Sequence, residues 1–162
     1  MVVLRSGNIG IGTSTPNYLL EVNGTIKANN ISETSDLRLK RNVTTLNNSL
    51  QKILQMRGVN FYWKSEEEIK TVLGTHEKCQ YPETKQIGVI AQEVEEVVPE
   101  VVATDKKGFK SVDYSKLVPV LIEAVKEQQA EIDELKSVKA ENEAMKKELD
   151  ELKRLVQNLM EK

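Results

Sequence analysis

Ser35-Asp36-Leu37-Arg38-Leu39-Lys40 divides this chain into two kinds of sequence. Upstream, glycine and asparagine are frequent and the residues read as short strands and turns; downstream they become charged, helix-forming and finally heptad-patterned. The change of architecture falls on a serine and a lysine five residues apart, the two side chains of a serine–lysine dyad. The same residues also read more plainly. Ser-Asp before an apolar-periodic run is a helix-cap pattern, and Lys40 is then a solvated surface residue. Spacing alone does not choose between the two.

Downstream of the junction, Leu46, Leu50, Ile53 and Leu54 fall at helical spacing, so residues 44–56 are expected to be a helix with Thr44 or Thr45 as cap and Gly58 as its stop. Val59–Lys64 follows as a strand that holds three of the aromatic residues, Phe61, Tyr62 and Trp63. Residues 65–86 are polar and charged and read as an excursion or projecting hairpin. Ile87-Gly88-Val89-Ile90 is a short strand leading into a helix from Ala91 to Val98, closed by Pro99. Val101–Ala103 and Phe109–Val112 flank Asp105-Lys106-Lys107-Gly108 as a hairpin. Residues 43–113 thus form a small α+β module.

From Ser115 onward the helical pattern barely breaks, with Pro119 expected in the first turn. Val118, Leu121, Val125, Gln128, Ile132 and Leu135 alternate steps of three and four. Leu135, Val138, Asn142, Met145, Leu149, Leu152, Val156 and Leu159 do so in a second register, and the two meet in a stammer at Leu135. Heptads over this length predict a coiled coil. Gln128 and Asn142 are polar seam positions, which fix register and oligomer number or else hold a ligand on the axis. The pattern leaves the number of strands open.

Upstream, Leu20, Val22 and Ile26 around Asn23-Gly24 predict two short strands and a tight turn. Gly7, Gly10 and Gly12 do not form a phosphate loop, because no Gly-Lys-Ser/Thr and no amphipathic helix follow them. A segment so poor in apolar residues buries too little alone, and its stability is expected to come from several chains wound together. The four Asn-X-Ser/Thr sequons, at Asn23, Asn30, Asn42 and Asn47, are read as accidents of composition.

Composition narrows the function classes. Charged residues make up 30% and aromatic residues 4%, which suits a long exposed helix and not a large aromatic core. A net charge of −2 offers no reason to expect nucleic acid or an anionic membrane as partner, and no stretch has the apolar length of a membrane span. One cysteine, Cys79, excludes an intrachain disulfide, and with one histidine, His76, it does not complete a zinc site within the chain. No cofactor and no metal are expected. A soluble metabolic enzyme is disfavoured, since no pocket-type constellation of catalytic residues is present.

Three stretches, in order, resemble a known family. Ser35-Asp36-Leu37-Arg38-Leu39-Lys40-Arg41-Asn42-Val43 resembles the opening motif of the endosialidase-type intramolecular chaperone domain, found at the ends of phage tailspikes and tail fibres and in myelin regulatory factors. Ile87–Val94 and Val112–Leu121 look like its later motifs, and Gly7–Ala28 is similar to repeats of fibre shafts. The resemblance implies three regions: the end of a β-rich fibre segment at 1–34, the α+β chaperone domain at 35–114, and a trimeric coiled coil at 115–162. It implies a homotrimer that folds the upstream fibre of its own polypeptide in the host cytoplasm as part of a virion precursor, then cuts itself off. Carried over, Ser35 is the nucleophile, Lys40 the general base and Thr34-Ser35 the scissile bond. Asp36, Arg38 and Asn42 support the site, Asp36 as cap or orienter, and Arg38, Asn42 or a backbone N–H as oxyanion donor. A lysine acts as base only when its pKa falls well below ~10.4, which burial brings about. A trimer interface is where Lys40 would be buried, making assembly the switch for cleavage. The rival readings are a non-cleaving trimeric tip and a receptor-binding tip that uses residues 65–86.

Overall fold

The computed structural model describes residues 1–73 and 81–161. The architecture is mixed α+β with a long C-terminal helix, as the patterning predicts. The chain divides into two compact units: Met1–Thr45 with Met56–Tyr114, and Leu46–Gln55 with the helix from Ser115 onward.

In the first unit, β1 (Val2–Val3), β2 (Ile9–Ile11) and β3 (Leu20–Val22) form a sheet in that order, β1 antiparallel and β3 parallel to β2. The hairpin expected at Asn23-Gly24 does not form. A two-residue I′ turn needs positive φ at both central residues, and of these only Gly24 has it. Instead the Asn23 N–H extends the β2–β3 pairing by donating to the Ile11 carbonyl at 2.9 Å. Gly12 makes this closeness possible: a Cβ there would lie 2.8 Å from the Asn23 carbonyl oxygen.

β4 (Val59–Phe61) pairs antiparallel with β5 (Gln86–Gly88). Between them the expected excursion contains a helix, α2 (Glu66–Leu73), opened by a reciprocal cap. The Ser65 N–H donates to Glu68 Oε2 at 2.8 Å, and the Glu68 N–H to Ser65 Oγ at 3.3 Å. Trp63 stacks on Tyr81 with ring centroids 4.1 Å apart. His76 and Cys79 lie outside the described residues.

The apolar centre of this unit is small. α3 (Ala91–Val97) and the 3-10 turn Pro99–Val101 bury Val94, Val98 and Val101, beside the hairpin of β6 (Val102–Thr104) and β7 (Lys110–Val112). Burying a valine contributes roughly 1.5–2 kcal/mol. Lys110 Nζ adds an ion pair to Glu95 at 2.7 Å, tying β7 to α3, and Arg57 pairs with Glu93 at the same distance. In the hairpin turn the Asp105 carboxylate accepts N–H bonds from Lys107 and Phe109, both at 2.8 Å, and Gly108 takes the positive φ.

In the second unit, α1 (Ser49–Gln55) lies on α4 (Tyr114–Met160), with Ser49, Val120 and Ala124 buried. Helix α1 is shorter than the sequence predicts and is not capped by Thr44 or Thr45. Asn48 precedes it at φ 56, and its first N–H groups bond to Glu127 of α4. Pro119 stands inside α4 and not in its first turn, because the helix already begins at Tyr114; its missing N–H removes one helical hydrogen bond. Along the rest of α4 the apolar positions from Leu121 to Leu159 face solvent in the single chain. Among the described residues, no helix is long and apolar enough to cross a membrane.

Candidate active site

Residues 35–40 are shaped by a single 3-10 turn, Leu37–Leu39. Asp36 caps it: Oδ1 accepts the Arg38 N–H at 2.9 Å, the short side-chain-to-backbone bond that favours aspartate before a turn. The Leu39 and Lys40 N–H groups then bond back to the Asp36 and Leu37 carbonyls at 3.1 and 3.0 Å. The reversal brings the residues at its two ends face to face. Lys40 Nζ donates to Ser35 Oγ at 2.7 Å, so the serine and the lysine singled out in the sequence are in direct contact.

Asp36 also holds Arg38 in a two-pronged pair, with Nε 3.0 Å from Oδ1 and Nη2 2.7 Å from Oδ2. The guanidinium and the backbone N–H of Arg38 hold the Asp36 carboxyl below the usual carboxylate range, and the carboxylate in turn raises the guanidinium. In this arrangement Asp36 is the cap of the turn, and Arg38 is engaged with Asp36. Asn42 adopts φ 54, a left-handed conformation that asparagine tolerates better than most residues, and it redirects the chain after Lys40.

The whole stretch is exposed in the single chain, Thr34, Ser35 and Lys40 included. Leu37 and Leu39, which flank Arg38, are 69% and 75% exposed. Large aliphatic side chains thus stand open to solvent between Ser35 and Lys40. The described residues contain no cluster of His, Cys, Asp or Glu suited to a metal ion.

The other two motifs meet each other. A Cβ on Gly88 would lie 2.8 Å from the Tyr114 hydroxyl and 3.2 Å from Phe61 Cε1, so a side chain there would have to displace one or both rings. The hydroxyl accepts the Val89 N–H at 3.2 Å, fixing the end of β5 to the start of α4. Sequence reasoning quoted both motifs without foreseeing this contact. It also missed Glu127, whose carboxylate accepts the Ser49 N–H at 3.1 Å and the Leu50 N–H at 2.7 Å, across a separation no local pattern reveals. Those backbone donors, Leu50 first, draw the Glu127 carboxyl below its ordinary value.

Comparison with known proteins takes in the first two of the three motifs, Ser35–Val43 and Ile87–Val94. Residues 35–103 match the model of a family described as chaperone of endosialidase, whose label is that of a peptidase; the match begins on Ser35 itself. The chain is also similar to the long tail fibre protein Gp37 of Enterobacteria phage K3 and to that of Enterobacteria phage T2. In each case the identity is 34% over 120 residues, covering 69% of this chain. The matching region is 8% of the length of either fibre protein.

Proposed function

From a chain whose residues 35–103 belong to the chaperone-of-endosialidase family, we propose a self-cleaving assembly module of a phage-type tail fibre. Copies associate through α4 into a homotrimeric coiled coil, help an upstream fibre segment of the same polypeptide to fold, and are then released by scission at Thr34-Ser35. The observation that carries the proposal is the 2.7 Å contact between Ser35 Oγ and Lys40 Nζ, on the residues where the family match begins. The likeness to tail fibre proteins supports a virion tail component as the setting. The exposed heptad positions of α4 support association.

The chemistry is an acyl shift followed by hydrolysis. With Lys40 as a free amine, Nζ takes the Ser35 hydroxyl proton as Oγ attacks the Thr34 carbonyl carbon. The tetrahedral intermediate collapses with cleavage of the Thr34–Ser35 C–N bond. The proton held on Lys40 passes to the departing nitrogen, which becomes the α-amine of Ser35. The Thr34 acyl group now sits on Ser35 Oγ as an ester. Water, deprotonated by the same amine, releases Thr34 as a carboxylate and restores the hydroxyl. A backbone N–H or Asn42 is the better oxyanion donor, since Arg38 is engaged by Asp36. Lys40 is exposed in the single chain, and covering it is the part that the mechanism gives to a neighbouring copy. Assembly is then the switch.

The test is a denaturing gel of assembled protein with intact mass. Wild type separates into two pieces, the larger beginning at Ser35. Ser35→Ala and Lys40→Ala each stay whole at an unchanged molar mass in solution. Persistence of two bands in Ser35→Ala refutes the mechanism, and a whole wild type supports a non-cleaving trimeric tip instead.

A further inference from the structure

Helix α1 is fastened to α4 at its first turn. The opening N–H groups of a helix lack intrahelical partners and are usually met by a local side chain. Here Ser49 and Leu50 donate instead to the two carboxylate oxygens of Glu127, and Ser49 is wholly buried. An anion at a helix start is also favoured by the helix dipole.

Helix geometry separates this clasp from the association seam. At about 100° per residue, Leu121, Val125, Gln128 and Ile132 cluster on one line along α4. Val120, Ala124 and Glu127 centre about 100° around from it. The face carrying Val120 and Ala124 is buried within the chain, while the seam stays exposed. Glu127 can therefore be altered without touching the seam. Between Lys40 and α1 stand only residues 41–48, with left-handed asparagines at 42 and 48 that set the chain path near each end.

We infer that Glu127 is a positioning residue for scission: by clamping the start of α1 to the long helix, it restricts where Ser35–Lys40 travels as copies assemble. The inference rests on the self-cleavage reading above. Without the clasp, the dyad is joined to the assembling helices by a longer, looser tether, and fewer assembled copies hold it where it is covered.

The experiment follows scission and molar mass together in refolding full-length chain. Glu127→Ala is expected to assemble at the wild-type mass and to cleave about tenfold more slowly or worse. Glu127→Gln recovers part of the rate, because its carboxamide oxygen still accepts one of the two N–H groups. A second variant leaves Glu127 in place and inserts Gly-Ser-Gly-Ser between Asn47 and Asn48; it too should assemble fully and cleave slowly, and it decides the matter if Glu127→Ala does not fold. Wild-type rates in assembled Glu127→Ala, or in the insertion variant, overturn the inference while leaving the dyad intact. A slowing of Glu127→Ala that only tracks lost assembly makes the residue structural and likewise overturns it. A wild type that assembles yet stays whole overturns the dyad reading itself, and this inference with it.

Discussion

Replacing Lys40 by arginine separates the charge of that side chain from its ability to accept a proton. In the structure Nζ donates to Ser35 Oγ at 2.7 Å, a bond that a guanidinium can also make. The turn, its Asp36 cap and the net charge are all left unchanged. What disappears is the free base. Arginine holds its proton far more tightly than lysine, so the neutral side chain needed for proton transfer is far scarcer. Lys40→Arg should therefore cleave at least about a hundredfold more slowly, within the ~10²–10⁴ that a general base contributes. Burial that favours the neutral amine widens the gap. The assay is a refolding time course read on a denaturing gel, with the new N-terminal residue identified by mass. Wild type should convert over the time course while the variant stays near baseline. Scission by assembled Lys40→Arg within about threefold of wild type would refute the reasoning, because the contact would then act through charge and not through proton transfer.

Three further outcomes are expected. Val94, 1% exposed between α3 and the β6–β7 hairpin, loses two methyl groups in Val94→Ala, which should lower stability by about 2–3 kcal/mol in urea unfolding; a change under about 0.5 kcal/mol would mean that α3 is not packed as described. The Glu127 carboxyl is drawn below 4.5 by the N–H groups of Leu50 and Ser49, so its contribution is whole above about pH 4.5 and is lost as pH falls through the lower folded value. Thermal melts from about pH 6 to about pH 3 should show a drop at the acid end that is smaller in Glu127→Gln, and equal drops would remove the linkage. Asn142, whose side chain donates to the Val138 carbonyl of its own helix at 2.9 Å, sits at a seam position where a polar group specifies register; Asn142→Leu should raise the melting temperature and broaden the mass distribution in light scattering, whereas an unchanged distribution would free Asn142 of that role.

What was legible in the sequence follows the range of each interaction. Helix α4 is written in the periodicity of its own residues, and the Ser35–Lys40 contact needs only the six residues that carry it. Helix α2 is legible in Ser65-Glu66-Glu67-Glu68, a capping-box pattern, although the charge around it reads as an excursion or projecting hairpin. The parallel pairing of β2 with β3 was not, since parallel strands usually need a longer crossover than residues 12–19 supply. The Asn-Gly pair favoured a hairpin that tertiary pairing overrode. Glu127 was hidden for a different reason. A carboxylate on the flank of a charged helix looks like any solvated one until residues about eighty positions away are folded against it. That Asp36 caps the turn is seen only from the direction of its oxygens.

The exposed dyad and the exposed seam bear on one another under the proposed mechanism. Desolvating a charged lysine costs on the order of several kcal/mol. A single chain with a core of a few valines has no surplus of that size at residues 35–40, and it leaves Leu37 and Leu39 in water beside the lysine. Association supplies one. Leu135, Leu149, Leu152 and Leu159 are open on α4, and covering each contributes roughly 1.5–3 kcal/mol, so four of them outweigh the cost of desolvating the lysine. On the proposed mechanism the turn forms first, since its bonds are local, and cover for Lys40 comes with neighbouring copies. A variant that weakens the seam, such as Leu149→Lys, should therefore stop scission with the Ser35–Lys40 contact untouched. Scission at an undiminished rate in that variant, under conditions where it is monomeric by mass, would break the link between association and chemistry.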